Sequence, residues 1–328
     1  MMKYSLEKEK QKYNNAGSKA VRDVTQIIHD LGYVPFVYES ISQFKWLRKL
    51  KSLYSIIKLY FILKEEDICF LQWPSRSYLD IFLYYCLSHR CCHLQILIHD
   101  LVSIREDKNA EIEMMFLLIA EKLIVHTPAM KNYLSSHGVD ENRMMVLYSF
   151  DYLISNTKVS DRDMSMNVVF AGNLTKSLFL DKLMGKSLGI NLMCYGNSSK
   201  DLLPPLVYQG FFDADDVMNI QGSWGLVWDG ESVDTCEGLL GKYLKINSPH
   251  KVSLYIVSRL PIIIWKESAL ANYVQDKGLG FVISSLSEIP QMINKISVFE
   301  YNQFLLNIDK ERYALIKGEH LRRCLKDM

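Results

Sequence analysis

The 328-residue chain lacks any run of about eighteen apolar residues, so the sequence offers no membrane-spanning helix. It lacks an apolar stretch in its opening segment Met1–Lys8, which reads as no signal peptide and makes the cytoplasm the expected location. It lacks a cysteine framework. The seven cysteines at 69, 86, 91, 92, 194, 236 and 324 are odd in number, and the pair Cys91-Cys92 has no metal-ligand spacing, so free thiols are expected. It lacks an excess of one charge, with a formal net charge of +1, which argues against nucleic acid as a partner. Gly-x-Ser-x-Gly, a Walker loop, His-Glu-x-x-His and Gly-x-Gly-x-x-Gly are all absent. That counts against the corresponding hydrolases, P-loop enzymes and dinucleotide dehydrogenases. Short-period repeats and low-complexity tracts are absent too.

What is present is alternation. With 49% apolar residues, a chain of this length can bury a large core in about two domains. Short apolar runs at 33–38, 68–72, 94–98 and 122–126 read as buried strands. Between them lie helical patterns. One runs from Ala16 to Leu31, with Ala20, Val24, Ile27, Ile28 and Leu31 on one face and Gly32 as the stop. Another starts near Asn109. The polar, aperiodic segment Val159–Met166 reads as an interdomain linker. A second series follows at 167–172, 190–196, 206–210, 224–229, 261–265 and 280–283. This pattern predicts an α/β chain of two doubly wound parallel-sheet domains, with a ligand in the cleft between them, at the carboxyl ends of the strands.

The stretch Tyr243–Lys251, followed by Val252, Tyr255 and Ile256 at helical spacing, predicts a helix with Ser248 as N-cap and Pro249 in its first turn. His250 and Lys251 would then sit at the positive end of that helix, beside Asn247, forming a site for an anion such as a diphosphate. The alternative is a well-capped surface helix. Gly172-Asn173-Leu174 ends a strand and leads toward Lys176 and Ser177 at the next helix start. Gly196, Gly210 and Asp229-Gly230 end further strands on the same expected edge. Asn14–Lys19 opens the first helix with a glycine turn and a lysine, suited to an anion or a sugar or to ordinary capping. His99-Asp100, at the end of the 94–98 strand, offers a hydrogen-bonding or proton-moving pair, and His126 a weaker version of it. Asp213–Asp216 resembles a carboxylate cluster, yet its place before Val217 predicts an acid-rich helix start, and no metal site is expected.

Residues 1–64 hold twelve Lys and Arg against five Asp and Glu. The density peaks in 44–61, where a helix would gather Trp46, Leu47, Leu50, Leu53, Tyr54 and Ile57 on one side. Such a segment either docks on an anionic membrane surface or packs on the core with a solvated basic face.

Trp224–Cys236 and Gly241–Lys251 closely resemble bacterial β-1,6-galactofuranosyltransferases of O-antigen assembly. They are also similar to the streptococcal glucosyltransferases that extend N-acetylglucosamine on serine-rich-repeat adhesins. Asn15–Ala20, Ile98–Asp100, Ala171–Leu174 and Trp265–Ala271 match in the same order. The resemblance implies a GT-B fold: residues 1–160 as an acceptor domain, rejoined by a C-terminal helix at about 311–328, and 165–310 as the nucleotide-sugar domain. It implies a UDP-sugar donor, a glycan acceptor that is lipid-linked, and no essential metal or cofactor. For the donor it points to Gly172, Asn173, Lys176, Asn247, Pro249, His250 and Lys251. The same loops add Leu174, Asp229, Gly230 and Tyr243. For catalysis it points to His99 and Asp100, with Lys251 facing the leaving diphosphate, and for the acceptor side to Asn15, Gly17 and Lys19. Arg259 and Tyr255 depart from broader glycosyltransferases, which often carry glycine and glutamate there, and the charged run Glu7–Lys12 makes a poor first strand. A hexosyltransferase of surface-polysaccharide synthesis is therefore expected, with protein O-glucosylation or a silent glycan-binding subunit as alternatives. A homo-oligomer is compatible with the sequence.

Overall fold

A computed structural model describes the chain apart from residues 10–15, 40–42, 76, 78, 91–92, 107–109, 159–160 and 327–328. It divides into two compact units. Met1–Tyr13, Val21–Leu147 and Arg322–Met328 form the first; Asn14–Ala20 and Tyr148–Leu321 form the second.

The first unit is built on strands β1 (Lys3–Lys8), β2 (Val34–Glu39), β3 (Ile68–Trp73), β4 (His93–Ile98), β5 (Lys122–Val125) and β6 (Met144–Val146). All pair in parallel, in the order β2-β1-β3-β4-β5-β6. The chain's helices through this half are α1 (Ala16–Asp30), α2 (Lys45–Ile62), α3 (Asp80–Arg90), α4 (Val102–Arg105), α5 (Ala110–Ile119) and α6 (Pro128–Ser136). α1 buries Ala20, Val24, Ile27 and Ile28, the face its periodicity assigns. The poor first strand of the sequence is instead a central one. β1 is hydrogen-bonded on both sides, with Leu6 opposite Phe36 and Leu71. Its charges are answered from a distance: Glu7 lies 2.5 Å from His29, and Lys8 lies 3.0 Å from Glu39.

α2 has the predicted helix but not one predicted inner side. Ser52, Ile56 and Leu59 face the core, while Trp46, Leu50, Tyr54 and Ile57 are exposed. From Arg322 the chain groups with the first unit, where Arg322 pairs with Asp30 at 3.1 Å and the Cys324 thiol meets the Val146 carbonyl.

The second unit carries β7 (Asn167–Ala171), β8 (Asn191–Tyr195), β9 (Leu206–Gly210), β10 (Trp224–Val227), β11 (Ile262–Trp265) and β12 (Gly280–Ile283). These strands are also parallel, in the order β12-β11-β10-β7-β8-β9. Its helices are α7 (Phe179–Leu183), α8 (Gly238–Leu244), α9 (Lys251–Val257), α10 (Ala271–Asp276), α11 (Ile289–Lys295), α12 (Val298–Ile316) and the start of α13 (Glu319–Lys326). The apolar strands explain the parallel sheet, because both faces are covered. Trp224 is fully buried, its ring edge-on to Tyr301 and Phe281. The segment read as a linker is pinned down here: Arg162 donates to the carbonyls of Ser258 and Ile220. Arg259 takes the left-handed backbone, φ 58°, that a glycine would take more easily, and a two-pronged pair with Asp309 offsets that strain. Asp213–Asp216 does not open an α-helix. Asp216 caps the 3-10 turn Val217–Asn219.

Candidate donor site and acceptor-side loop

In the second sheet the strand order reverses between β7 and β10, which is where open α/β sheets bind ligands. β7 runs into Gly172 and β8 into Gly196. Gly196 has φ +134°, and a Cβ there would lie 1.8 Å from the Gly172 carbonyl oxygen, so the two loops touch only because no side chain intervenes. Lys251 reaches the same point. A Cβ on Gly172 would lie 3.2 Å from its Cε, and its ammonium sits 4.5 Å from the Phe170 ring centre and 2.7 Å from Asp229 Oδ1. Asp229 follows β10, so one ion pair joins the two sides of the reversal. Gly230 next to it is required as well, since a Cβ would lie 2.7 Å from Cys236 Cα. Burial raises the Cys236 thiol to about 12, so it is no nucleophile.

Tyr255, one helical turn after Lys251, fixes α9 against the sheet. It is fully buried, accepts from the Ala171 N–H at 3.0 Å and donates to the Leu226 carbonyl at 3.0 Å. Gly225 makes room, because a Cβ there would fall 2.3 Å from the tyrosine ring. The sequence showed Tyr255 as a position on the helical pattern and as a departure from a glutamate. The i, i+4 spacing from Lys251, with Gly225 on the facing strand, was the available signal.

The expected helix start is corrected. α9 begins at Lys251 rather than Pro249, and His250 precedes it without a side-chain cap. The Val252 N–H is taken by the Pro249 carbonyl at 2.9 Å, so a tight turn stands where the first helical turn was expected. A seven-residue helix has a weak dipole, and the anion argument moves to the ammonium itself. His250 is no cation either. Burial, aided by the Lys19 ammonium, lowers it to about 3. Its ring lies against Tyr152, 5.0 Å between centres. His250 Nε2 and Asn247 Oδ1 are covered, with no hydrogen-bond partner among the described residues. Buried polar atoms are normally paired, and these two fall in the Tyr243–Lys251 stretch.

Asn173 is exposed and caps the 3-10 turn Leu174–Lys176 by accepting from the Lys176 N–H. Lys176 is exposed beside it. The side chains of Leu174 and Tyr243 are buried. Lys19 is also buried. Its ammonium binds the Leu153 carbonyl, pairs with Asp215 at 2.9 Å and lies 4.9 Å from the Tyr152 ring centre. It braces the second unit from α1, and Asp215 is the partner that sequence reasoning missed. Gly17 lies within α1, and Asn15 falls outside the described residues. No group of three His, Cys, Asp or Glu among the described residues could hold a metal ion.

In the first unit, His99 and Asp100 follow β4 directly. The His99 N–H donates to the Trp73 carbonyl at 2.6 Å, its ring nitrogen meets Gln72 Oε1 at 2.7 Å, and Asp100 pairs with Arg105. The loop beyond is organised by Glu113, which sequence reading overlooked. This buried carboxylate accepts from Trp73 Nε1 at 2.9 Å, from the Val102 N–H at 2.8 Å and from Ser103. His126 is a strut: its Nε2 donates to the Ile98 carbonyl at 2.7 Å, and burial lowers it to about 4.

Comparison with known proteins accounts for both units. The family described as "Glucosyltransferase 3-like, N-terminal domain" matches residues 3–148, and its "C-terminal domain" counterpart matches 168–328. The β-1,6-galactofuranosyltransferase WbbI of Escherichia coli K12 is 30% identical over 96% of this chain and 94% of its own. The chain belongs to the glucosyltransferase 3-like family. It is a glycosyltransferase of GT-B fold. Two solved structures are similar in fold, each at 12% identity and a TM-score of 0.58. They are HepE of Anabaena, in complex with UDP and glucose, and the apo form of the lipopolysaccharide outer core galactosyltransferase WaaB. HepE is covered over 100% of both chains, and WaaB over 100% of this chain and 99% of its own.

Proposed function

We propose that this family member is a UDP-sugar-dependent hexosyltransferase that transfers galactofuranose in a β-1,6 linkage to a lipid-linked glycan of a surface polysaccharide. The observation that carries the reading is Lys251, paired with Asp229 and seated against Gly172 at the reversal of the second sheet. In transfer the bond from the sugar's anomeric carbon to the diphosphate breaks, and its electron pair leaves on a phosphate oxygen. Lys251 meets that charge, and the reading needs no metal. Asn247, His250 and Asn173 supply polar groups to the nucleotide. The acceptor hydroxyl bonds to the anomeric carbon and gives its proton to the first unit's His99-Asp100 loop. The proposed setting is the cytoplasm, at the inner face of the plasma membrane. The likeness to WbbI over nearly the whole chain supports the galactofuranosyl reading. The glucosyltransferase 3-like family description favours glucosyl transfer, the core of a second reading in which UDP-glucose is the donor and a protein O-glycan is extended.

Melting with UDP, in the presence and absence of EDTA, tests the donor site. A UDP-dependent rise that survives EDTA is expected. UDP release from UDP-galactofuranose, UDP-galactose and UDP-glucose with glycan acceptors then ranks the donors. A preference for UDP-glucose selects the second reading. UDP binding with no release from any donor selects a silent glycan-binding subunit.

A further inference from the structure

α2 carries its apolar side chains on the wrong face for a core helix. Trp46, Leu50, Tyr54, Ile57 and Phe61 are 63%, 56%, 68%, 47% and 76% exposed. Their spacing of four, four, three and four residues makes one continuous stripe. The core-facing side, Ser52, Ile56 and Leu59, lies roughly opposite at 3.6 residues per turn. Lys49 borders the stripe on one flank, and Lys51 and Lys58 border it on the other. All three are exposed, and the helix contains no Asp or Glu. α3 packs on α2, where the Cys86 thiol meets the Ile56 carbonyl, and it adds exposed Phe82 and Tyr85. No described helix is long and apolar enough to cross a membrane.

We propose that α2, with the exposed aromatics of α3, is a docking surface for an anionic lipid bilayer, on which α2 lies flat. Aromatic and aliphatic side chains enter the headgroup boundary, and the flanking lysines meet lipid phosphates. The charge pattern favours this occupant over a second copy of the chain. A two-fold contact through α2 would set lysine against lysine with no carboxylate from either helix. The proposal names the surface on which the lipid-linked acceptor of the proposed function would be met, and so rests on that reading for its purpose. Its deciding readout, vesicle binding, uses neither donor nor acceptor, so the two can fail separately.

The test is flotation of the full chain with phosphatidylcholine vesicles and with vesicles that also contain phosphatidylglycerol. Binding to the anionic vesicles alone, weakened by salt, is expected. Each lysine near such a surface contributes about fivefold, so K49Q/K51Q/K58Q lowers the partition by about 10². L50S/I57S/F61S abolishes it at low salt, while UDP release with a soluble acceptor is unchanged. Should that variant melt early, Trp46→Ser, at the exposed start of the stripe, gives the same reading with a smaller loss. Equal binding to neutral vesicles, or no vesicle binding, overturns the proposal. So does a lipid-free dimer that the same substitutions dissolve.

Discussion

At the ends of β3, β4 and β5, buried polar groups of the first unit have partners of their own. Glu113 takes donors from Trp73, Val102 and Ser103, His126 donates to Ile98, and His99 is held by Trp73 and Gln72. In the second unit Asn247 Oδ1 and His250 Nε2 are covered, with no hydrogen-bond partner among the described residues. Satisfied groups hold a loop in shape, and under the proposed function a nucleotide supplies the partners that Asn247 and His250 lack.

The sharpest way to break that contrast is Lys251→Ala. Turnover should fall by about 10²–10³, as for loss of one donor to a developing oxyanion. Because the lysine is paired with Asp229, the substitution also strands a partly covered carboxylate. The double variant Lys251→Ala/Asp229→Asn should regain melting temperature without regaining turnover. Recovery of turnover in the double variant would make the lysine a structural group.

Asp100→Asn sharpens the comparison from the other side. Turnover should drop by about 10² if the loop takes the acceptor's proton, while the UDP-induced melting shift stays that of the parent. A lost UDP shift would move nucleotide binding into the first unit's loop.

The smallest effect is on stability and draws on one histidine in each unit. His126 and His250 are lowered to about 4 and about 3, so both are neutral in the fold and take up protons on unfolding below their ordinary value of about 6.5. Their contribution is fully present above about pH 6.5 and is lost as the pH falls toward the folded values. For His126 alone the loss approaches about 3 kcal/mol by pH 4. Melting curves from pH 7 to 4 should slope downward, and His126→Gln should flatten part of that slope. An unchanged slope would mean that the histidine titrates freely in the fold.

Where apolar runs set the strands, as at Ile68–Trp73 and Ile262–Trp265, the sequence was legible, because buried parallel strands must be apolar on both faces. β1 was not legible, since the partners of Glu7 and Lys8 are His29 and Glu39, far along the chain. α2 was legible as a helix but not in its orientation. Periodicity identifies an apolar stripe without saying whether protein or something else covers it. At the candidate donor site, Gly172, Asn247 and Lys251 stand out by local pattern. The Asp229 pair, the brace of Lys19 on Asp215 and the double hydrogen bond of Tyr255 are contacts between distant segments, which local spacing does not encode.

The Tyr255 hydroxyl bears on how donor choice in this enzyme could be altered. Its two hydrogen bonds tie α9 to the end of β7 and to β10 at once, one turn from Lys251. A helix so bolted is a poor dial for tuning which sugar is accepted. Under the proposed function, donor swaps are best sought outside α9, at exposed side chains such as Asn173 and Lys176.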